Sequence, residues 1–360
     1  MANAKQVKAE VIRQGGWQRV FSAYHGLAQH LEQRPTKAGP CPLTGDGKTK
    51  FRFCNDWNET GGAFHNDVRG IADGISLLTW YTGQSVSQVL KDIEGILGGV
   101  TIDSLHAERV VKKVRNRPYC SPEEAEERKE RLRRNYRNCV SIIGTPGEVY
   151  LRSRGITMPL EFLHKKVMYN PELYYNDGTQ KYATRMQGLC SMVIDKERKP
   201  LTMHRTFLTK SGRKAKLENS KLMFSADRAP TGGCIPLDEP VNTPYGRVIG
   251  VCEGLETGLS VRQETGCPMW IGISDRLMEN INCSGVDVVL IWADKDPNKA
   301  GEEAAQRMLE RLKSQNVNAF IYVPNVPEAK ADWNDVLVGK VKGVFPQPLH
   351  PDWKVYGGES

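Results

Sequence analysis

Five carboxylates carry the strongest chemical signal in the chain. The run RVIGVC leads into Glu253-Gly254, the run VDVVLIWA leads into Asp294-Lys295-Asp296, and KADWNDVL follows with Asp332 and Asp335. Short apolar runs bounded by helical stretches read as buried parallel strands, and ligands of open α/β sheets bind beyond the carboxyl ends of such strands. Carboxylates gathered at that edge repel one another unless a cation neutralises them, and hard oxygen donors suit Mg²⁺ or Mn²⁺. The single residue between Asp294 and Asp296 lets both face one side and share a cation, with Lys295 turned away. The stretch from Asn298 to Gly301 opens a helix whose first amides face the same edge and favour phosphate. The plainer alternative is that these acids are surface residues at loop ends.

The elements that must position them follow from periodicity. From Gly246 the chain alternates VIGVC, a helix carrying Leu259, Val261 and Glu264, PMWIGI, RLMENI, VDVVLIWA, AGEEAAQRMLERLKSQ and AFIYVP. This alternation predicts an α/β unit over 246–340, a compact parallel sheet flanked by helices, with 341–360 as a tail. Residues 141–245 read as a mixed α+β subdomain. In it Met192–Ile194 form a strand, Asp195–Arg198 a turn, and Met203, Arg205 and Phe207 alternate along the return strand. Residues 103–140 are charge-dense and read as a helical linker, with Ser121 as N-cap and Pro122 at the first helical position. Residues 1–102 read as a small N-terminal domain, in which Leu77, Leu78, Tyr81, Val86, Val89 and Ile93 recur at helical spacing across a Thr-Gly break.

With 360 residues, the chain has room for two or three domains with real cores. Its 39% hydrophobic and 26% charged content describes a globular protein. No apolar run is long enough to span a bilayer and the opening MANAKQVKAEVIRQ lacks a secretory core, so a cytoplasmic location and no membrane partner are expected. The nine cysteines include no CxxC pair and read as small buried hydrophobes. A net charge of +8 suits a polyanionic partner.

Glu-Gly after a strand, then a strand with Asp-x-Asp, a helix opening with Ala-Gly, and Lys-x-Asp-Trp-Asn-Asp, in this order, resemble the Toprim domain shared by primases, topoisomerases and some nucleases. The word EGLET, with Glu256, is similar to the phage and plasmid primase-like branch, although Glu256 suits a helix cap equally. Upstream, YLRSRGI, HRTFL and GRKAKLENSKLMF resemble the basic subdomain that precedes Toprim in those primases. The resemblance implies that Glu253, Asp294 and Asp296 are catalytic and, with Asp332 and Asp335, bind metal. It also implies that Arg205, Lys214, Lys216, Lys221 and Lys330 contact nucleic acid or nucleotide, with Arg205 and Lys221 foremost. Tyr136 and Tyr150 read as packing residues.

GPCPLTGDGKTKFRF and GGAFHNDVRGIADGISLL resemble the zinc ribbon of the same primases, with a decisive departure. Cys41 stands at a ligand position, but Thr44, Asn66 and Arg69 occupy the other three. Zinc is therefore not expected, and Phe51, Phe53, Trp57 and Phe64 are expected to hold the ribbon instead; the out-of-register set Cys41, Cys54, His65 and Asp67 is the alternative ligand set. Lys48, Lys50, Arg52 and Arg69 are the candidate template-reading cations. The function implied is Mg²⁺-dependent synthesis of short RNA primers from nucleoside triphosphates on single-stranded DNA, in phage, plasmid or mobile-element replication. No GxxxxGK[ST] word is present, so a separate helicase is an expected partner. Two alternatives stay open: a non-catalytic accessory factor that binds single-stranded DNA, and a Toprim nuclease.

Overall fold

The computed structural model describes the chain apart from Met1, Arg34, residues 69–70, 116–118, 177–181, Asn298 and residues 350–360. Two compact units, Met1–Pro118 and Tyr119–Ser360, part within the charged stretch 103–140. The helix Ser104–Arg115 packs in the first unit, where Ala107 and Ile102 meet Ala9 of the helix Ala4–Arg13. The helix Pro122–Arg137 belongs to the second. Its Ser121 cap is as expected, with the hydroxyl accepting from the Glu124 amide at 3.2 Å and the Glu124 carboxylate accepting from the Ser121 amide at 3.1 Å.

In the first unit, helices enclose a core built on Trp17, Phe21, Leu27, Leu77, Leu78 and Ile93. The helices Gly74–Thr82 and Val86–Leu97 meet at the Thr-Gly break, where Gly83 takes φ 68° as the left-handed cap. A two-stranded antiparallel sheet pairs Phe51–Phe53 with Ala63–His65. Strand alternation sends Phe51 and Phe53 into the core and turns Arg52 and Phe64 out. Phe64, expected to hold the ribbon, is instead 40% exposed, and the Arg52 guanidinium lies 4.4 Å from its ring centroid. Trp57 packs on Phe53 as expected.

The second unit joins two sheets. Four antiparallel strands run in the order Val167–Tyr175, Thr184–Ile194, Pro200–Leu208 and Lys221–Met223. The other sheet orders Asn318–Tyr322, Val288–Trp292, Gly246–Cys252 and Met269–Ile271 as parallel neighbours. Two short antiparallel strands extend it, Ile235–Pro236 on Met269–Ile271 and Val241–Thr243 on Gly246–Cys252. Every residue of Val288–Trp292 is buried because both faces are covered. On one face the helix Ala300–Ser314 places Ala304, Ala305, Met308 and Leu312 against Ile249, Val251 and Ile291. On the other, Leu259, Trp292 and Trp333 share one continuous core with Leu151, Leu163, Val167 and Leu189 from the neighbouring sheet region. The fold class is therefore α/β within a chain that is α+β as a whole. Among the described residues, no helix is long and apolar enough to cross a membrane.

Candidate active site

The chain leaves Gly246–Cys252 toward one neighbouring strand and reaches Val288–Trp292 on the opposite side, so these adjacent strands flank a topological switch point. Their register pairs Cys252 with Trp292, which brings Glu253 and Asp294 to the same sheet edge. Gly254 caps the helix Leu255–Thr265 directly behind Glu253. Lys295 and Ala331 exchange backbone hydrogen bonds at 2.8 and 3.0 Å, and this bridge draws Asp332 to the same edge. As expected, Lys295 turns its side chain away, donating to the Val326 carbonyl at 2.5 Å.

These elements enclose a cavity of about 260 Å³ whose lining includes the acids Glu253, Asp294 and Asp332 and the cations Arg154, Lys214 and Lys221. Tyr150, Gly254, Glu256, Thr257 and Ile273 complete the lining. Burial raises the Asp294 carboxyl well above its ordinary value, and the nearby carboxylates of Glu253, Asp332 and Asp296 add to the rise; the Thr257 hydroxyl, donating at 3.4 Å, opposes it. Burial likewise raises Asp332. Glu256 behaves oppositely. Burial would push its carboxyl up, but the Lys221 ammonium at 2.7 Å and the Tyr150 hydroxyl hold it at about 2. Ile273, a β-branched residue, takes φ 71°, and its amide donates to the Glu253 carbonyl at 2.8 Å, so strained backbone fixes that corner of the cavity.

The helix Ala300–Ser314 approaches so closely that a Cβ on Gly301 would lie 2.7 Å from the Asp294 carbonyl oxygen. Alanine normally gains about 1 kcal/mol over glycine inside a helix. Here Gly301→Ala is expected to destabilise the protein instead, because backbone must shift to relieve the clash. A thermal melt no lower than the parent's would contradict that expectation.

The structure separates the five expected metal ligands. Glu253, Asp294 and Asp332 line the cavity, whereas Asp296 lies 3.9 Å from the Lys330 ammonium and Asp335 accepts from Lys340 at 2.7 Å. Asp332 is also the N-cap of Trp333–Leu337, accepting from the Asp335 amide. Among the described residues no three His, Cys, Asp or Glu side chains stand together closely enough to hold a metal. The donor chemistry of Glu253, Asp294 and Asp332 nevertheless fits a hard divalent cation, since their mutual repulsion is the charge imbalance that such an ion relieves.

The expected cations also divide. Lys214 and Lys221 line the cavity; Lys216 is exposed and is not part of the lining. Arg205 requires a correction, for it is 7% exposed, donates to the Tyr174 and Met223 carbonyls at 3.2 and 3.3 Å, and lies 3.8 Å from the Phe224 ring centroid. Its neighbour His204 is the residue whose environment includes Lys221 and Glu256, because adjacent strand residues face opposite ways. In the first unit, Lys48 is exposed, Lys50 is bound by Asp46 and Asp67 at 2.7 and 2.9 Å, and Arg69 lies outside the described residues. Asn334 is structural, donating to the Arg154 carbonyl and the Ser260 hydroxyl.

Sequence reasoning missed Arg154 and Tyr150 as cavity residues. Both belong to the word YLRSRGI, which stood out in the sequence, but nothing local shows which helix face meets the acids.

A Toprim-domain family model matches residues 248–342, and one for a domain of unknown function, DUF7146, matches residues 126–235. Among curated proteins, none matches the sequence. Solved structures similar to the chain include the Aquifex aeolicus primase (zinc-binding and RNA polymerase domains), at 14% identity over 93% of this chain and 86% of that one, with a TM-score of 0.41. The primase fragment of the bacteriophage T7 primase-helicase protein is similar at 14% identity over 84% of this chain and 95% of that one, with a TM-score of 0.35. A DnaG primase catalytic domain bound to single-stranded DNA is similar at 13% identity, over 61% and 77% of the two chains, with a TM-score of 0.41. The paired strand ends, the order of the acids and the matched family model agree on one identification: residues 248–342 of this chain are a Toprim domain.

Proposed function

We propose that the chain is a primase that extends a short RNA on single-stranded DNA by metal-dependent nucleotidyl transfer. The observation that carries this reading is the cavity itself, where three carboxylates at a switch point and three cations line one space of about 260 Å³. A triphosphate suits such a mixed lining, since cations neutralise its oxygens while carboxylates hold the divalent ion that travels with it. The 3′-hydroxyl oxygen of one nucleotide attacks the α-phosphorus of the next, the bond to the β-phosphate oxygen breaks, and pyrophosphate leaves.

Glu253, Asp294 and Asp332 would hold Mg²⁺ or Mn²⁺, which supplies polarisation of the phosphoryl oxygen and a lower pKa for the attacking hydroxyl. Arg154, Lys214 and Lys221 bind the phosphates and orient them toward the acids. In this reading Lys216 tracks the template backbone, Lys48 and the Arg52 guanidinium over Phe64 grip and stack single strands in the first unit, and strand separation falls to another replication protein.

Single-stranded DNA binding measured against salt tests this division of labour. Lys48→Ala and Lys216→Ala are each expected to flatten the log–log slope by roughly 0.7–1, the share of one phosphate contact, whatever the DNA sequence. Asp294→Asn should leave that slope unchanged. If Asp294→Asn weakened DNA binding as much as the lysine variants, with no synthesis by the parent, a binding factor would replace the enzyme reading. Metal-dependent breakdown of the labelled DNA would point to a nuclease.

A further inference from the structure

Four carboxylates line the cavity, and one of them is unlike the rest. Glu256 is 5% exposed and has both oxygens engaged, Oε1 accepting from the Tyr150 hydroxyl at 2.5 Å and Oε2 from Lys221 Nζ at 2.7 Å. It is an anion paired with a lysine, whereas Asp294 has the carboxylates of Glu253 and Asp332 for neighbours. The three residues of this link come from separate elements. Tyr150 lies on the helix Pro146–Ser153, Lys221 opens the short edge strand Lys221–Met223, and Glu256 stands in the first turn behind Glu253.

Lys221 needs such a partner. Its strand is three residues long and pairs with Thr206, Arg205 and His204, and its flexible side chain shares the cavity lining with Lys214 and Arg154, like charges that would drive it to solvent. The closeness of these cations is visible at Lys214, whose pKa is lowered by burial and then by the Lys221 ammonium. Glu256 occupies one of the three donors of that ammonium, leaving two directions for other acceptors.

We propose that Glu256 is a positioning residue for nucleotide binding: with Tyr150 it clamps Lys221 in the wall of the cavity that Glu253, Asp294 and Asp332 also line, so that a triphosphate meets a preformed cation beside those acids. This rests on the nucleotidyl-transfer reading of the same cavity. Glu256 acts through Lys221 and touches no reacting atom. Its loss therefore weakens the capture of nucleotide more than the chemical step.

The test is calorimetric binding of Mg·ATP to the full chain without template, with Glu256→Gln, Lys221→Met, Tyr150→Phe and the double variant Glu256→Gln/Lys221→Met. Glu256→Gln and Lys221→Met should each weaken ATP binding roughly tenfold, as expected for one charge-assisted contact, and the double variant should bind no worse than Lys221→Met alone. In primer synthesis the same loss should appear as a higher KM for nucleotide with kcat changed less. Parent-like ATP binding by Glu256→Gln, beside a loss in Lys221→Met, would overturn the clamp, as would additive losses in the double variant.

Urea midpoints guard against misfolding. Should Glu256→Gln fail to fold, Tyr150→Phe decides: a loss of ATP binding that vanishes in the Lys221→Met background supports the clamp, and an equal loss in both backgrounds contradicts it. A parent that neither binds ATP nor makes primers would overturn the nucleotidyl-transfer reading and the clamp with it. A parent that does both, with Glu256→Gln its equal, overturns the clamp alone.

Discussion

Asp294→Asn should make the metal-free protein more stable while lowering primer synthesis by roughly 10³-fold or more, the loss of several kcal/mol of transition-state stabilisation. The two effects share one cause. Asp294 is a buried carboxylate raised by burial and by the charges of Glu253, Asp332 and Asp296, and the Thr257 hydroxyl offsets this in part. Asparagine keeps an oxygen for Thr257 and removes the charge. Differential scanning calorimetry in chelator should show a higher Tm, by roughly 2–4 °C for each kcal/mol of repulsion relieved. An unchanged or lower Tm together with near-normal synthesis would remove Asp294 from the site. This pattern, stability given up for a crowded charge cluster, is what a functional site leaves in a fold.

His204 should impose a steep acid limb on the stability of the second unit. Burial lowers its imidazole from 6.5 to about 4, assisted by the Lys221 ammonium and the Arg205 guanidinium and opposed by the Glu256 carboxylate. The fold therefore favours the neutral ring. That stability is fully present above pH 6.5 and is lost as the pH falls toward 4, because the unfolded chain binds the proton first. The full loss is about 3 kcal/mol, a factor of roughly 10² in the folded-to-unfolded ratio. Glu256, held at about 2, stays ionised throughout that window and does not blunt it. Urea titrations from pH 7.5 to 4.5 should show the limb in the parent and a flatter profile in His204→Gln; parallel profiles would rule out this role for His204.

The same strand shows where sequence reading stops. Val288–Trp292 was legible because five apolar residues run straight into Asp294-Lys295-Asp296, and in that arrangement only a buried parallel strand makes sense. In Pro200–Leu208 every residue after the first is buried, so alternation of residue type no longer marks the faces, and Arg205 reads as a nucleic-acid contact although it is buried and its neighbour His204 is the one near Lys221 and Glu256. In the first unit the alternation of FRF sends Phe51 and Phe53 into the core while that of AFH turns Phe64 out, so an aromatic residue in a short strand is not by itself a core residue.

Asp332 and Asp335 stand three apart, the spacing of a helix cap, and the structure uses them so: the first caps and lines the cavity, and the second turns to Lys340. Tyr150 and Glu256 are 106 residues apart in sequence. Nothing local in YLRSRGI or EGLET encodes that contact; it exists because the two sheets share a core.

The most direct measurement is incorporation of α-labelled nucleoside triphosphates on single-stranded DNA with Mg²⁺, comparing the parent with Asp294→Asn. The account predicts short labelled oligonucleotides from the parent, none without template or with chelator, and none from Asp294→Asn although it is folded and binds the DNA. Template-independent labelling, or equal synthesis by the Asp294→Asn protein, would contradict it.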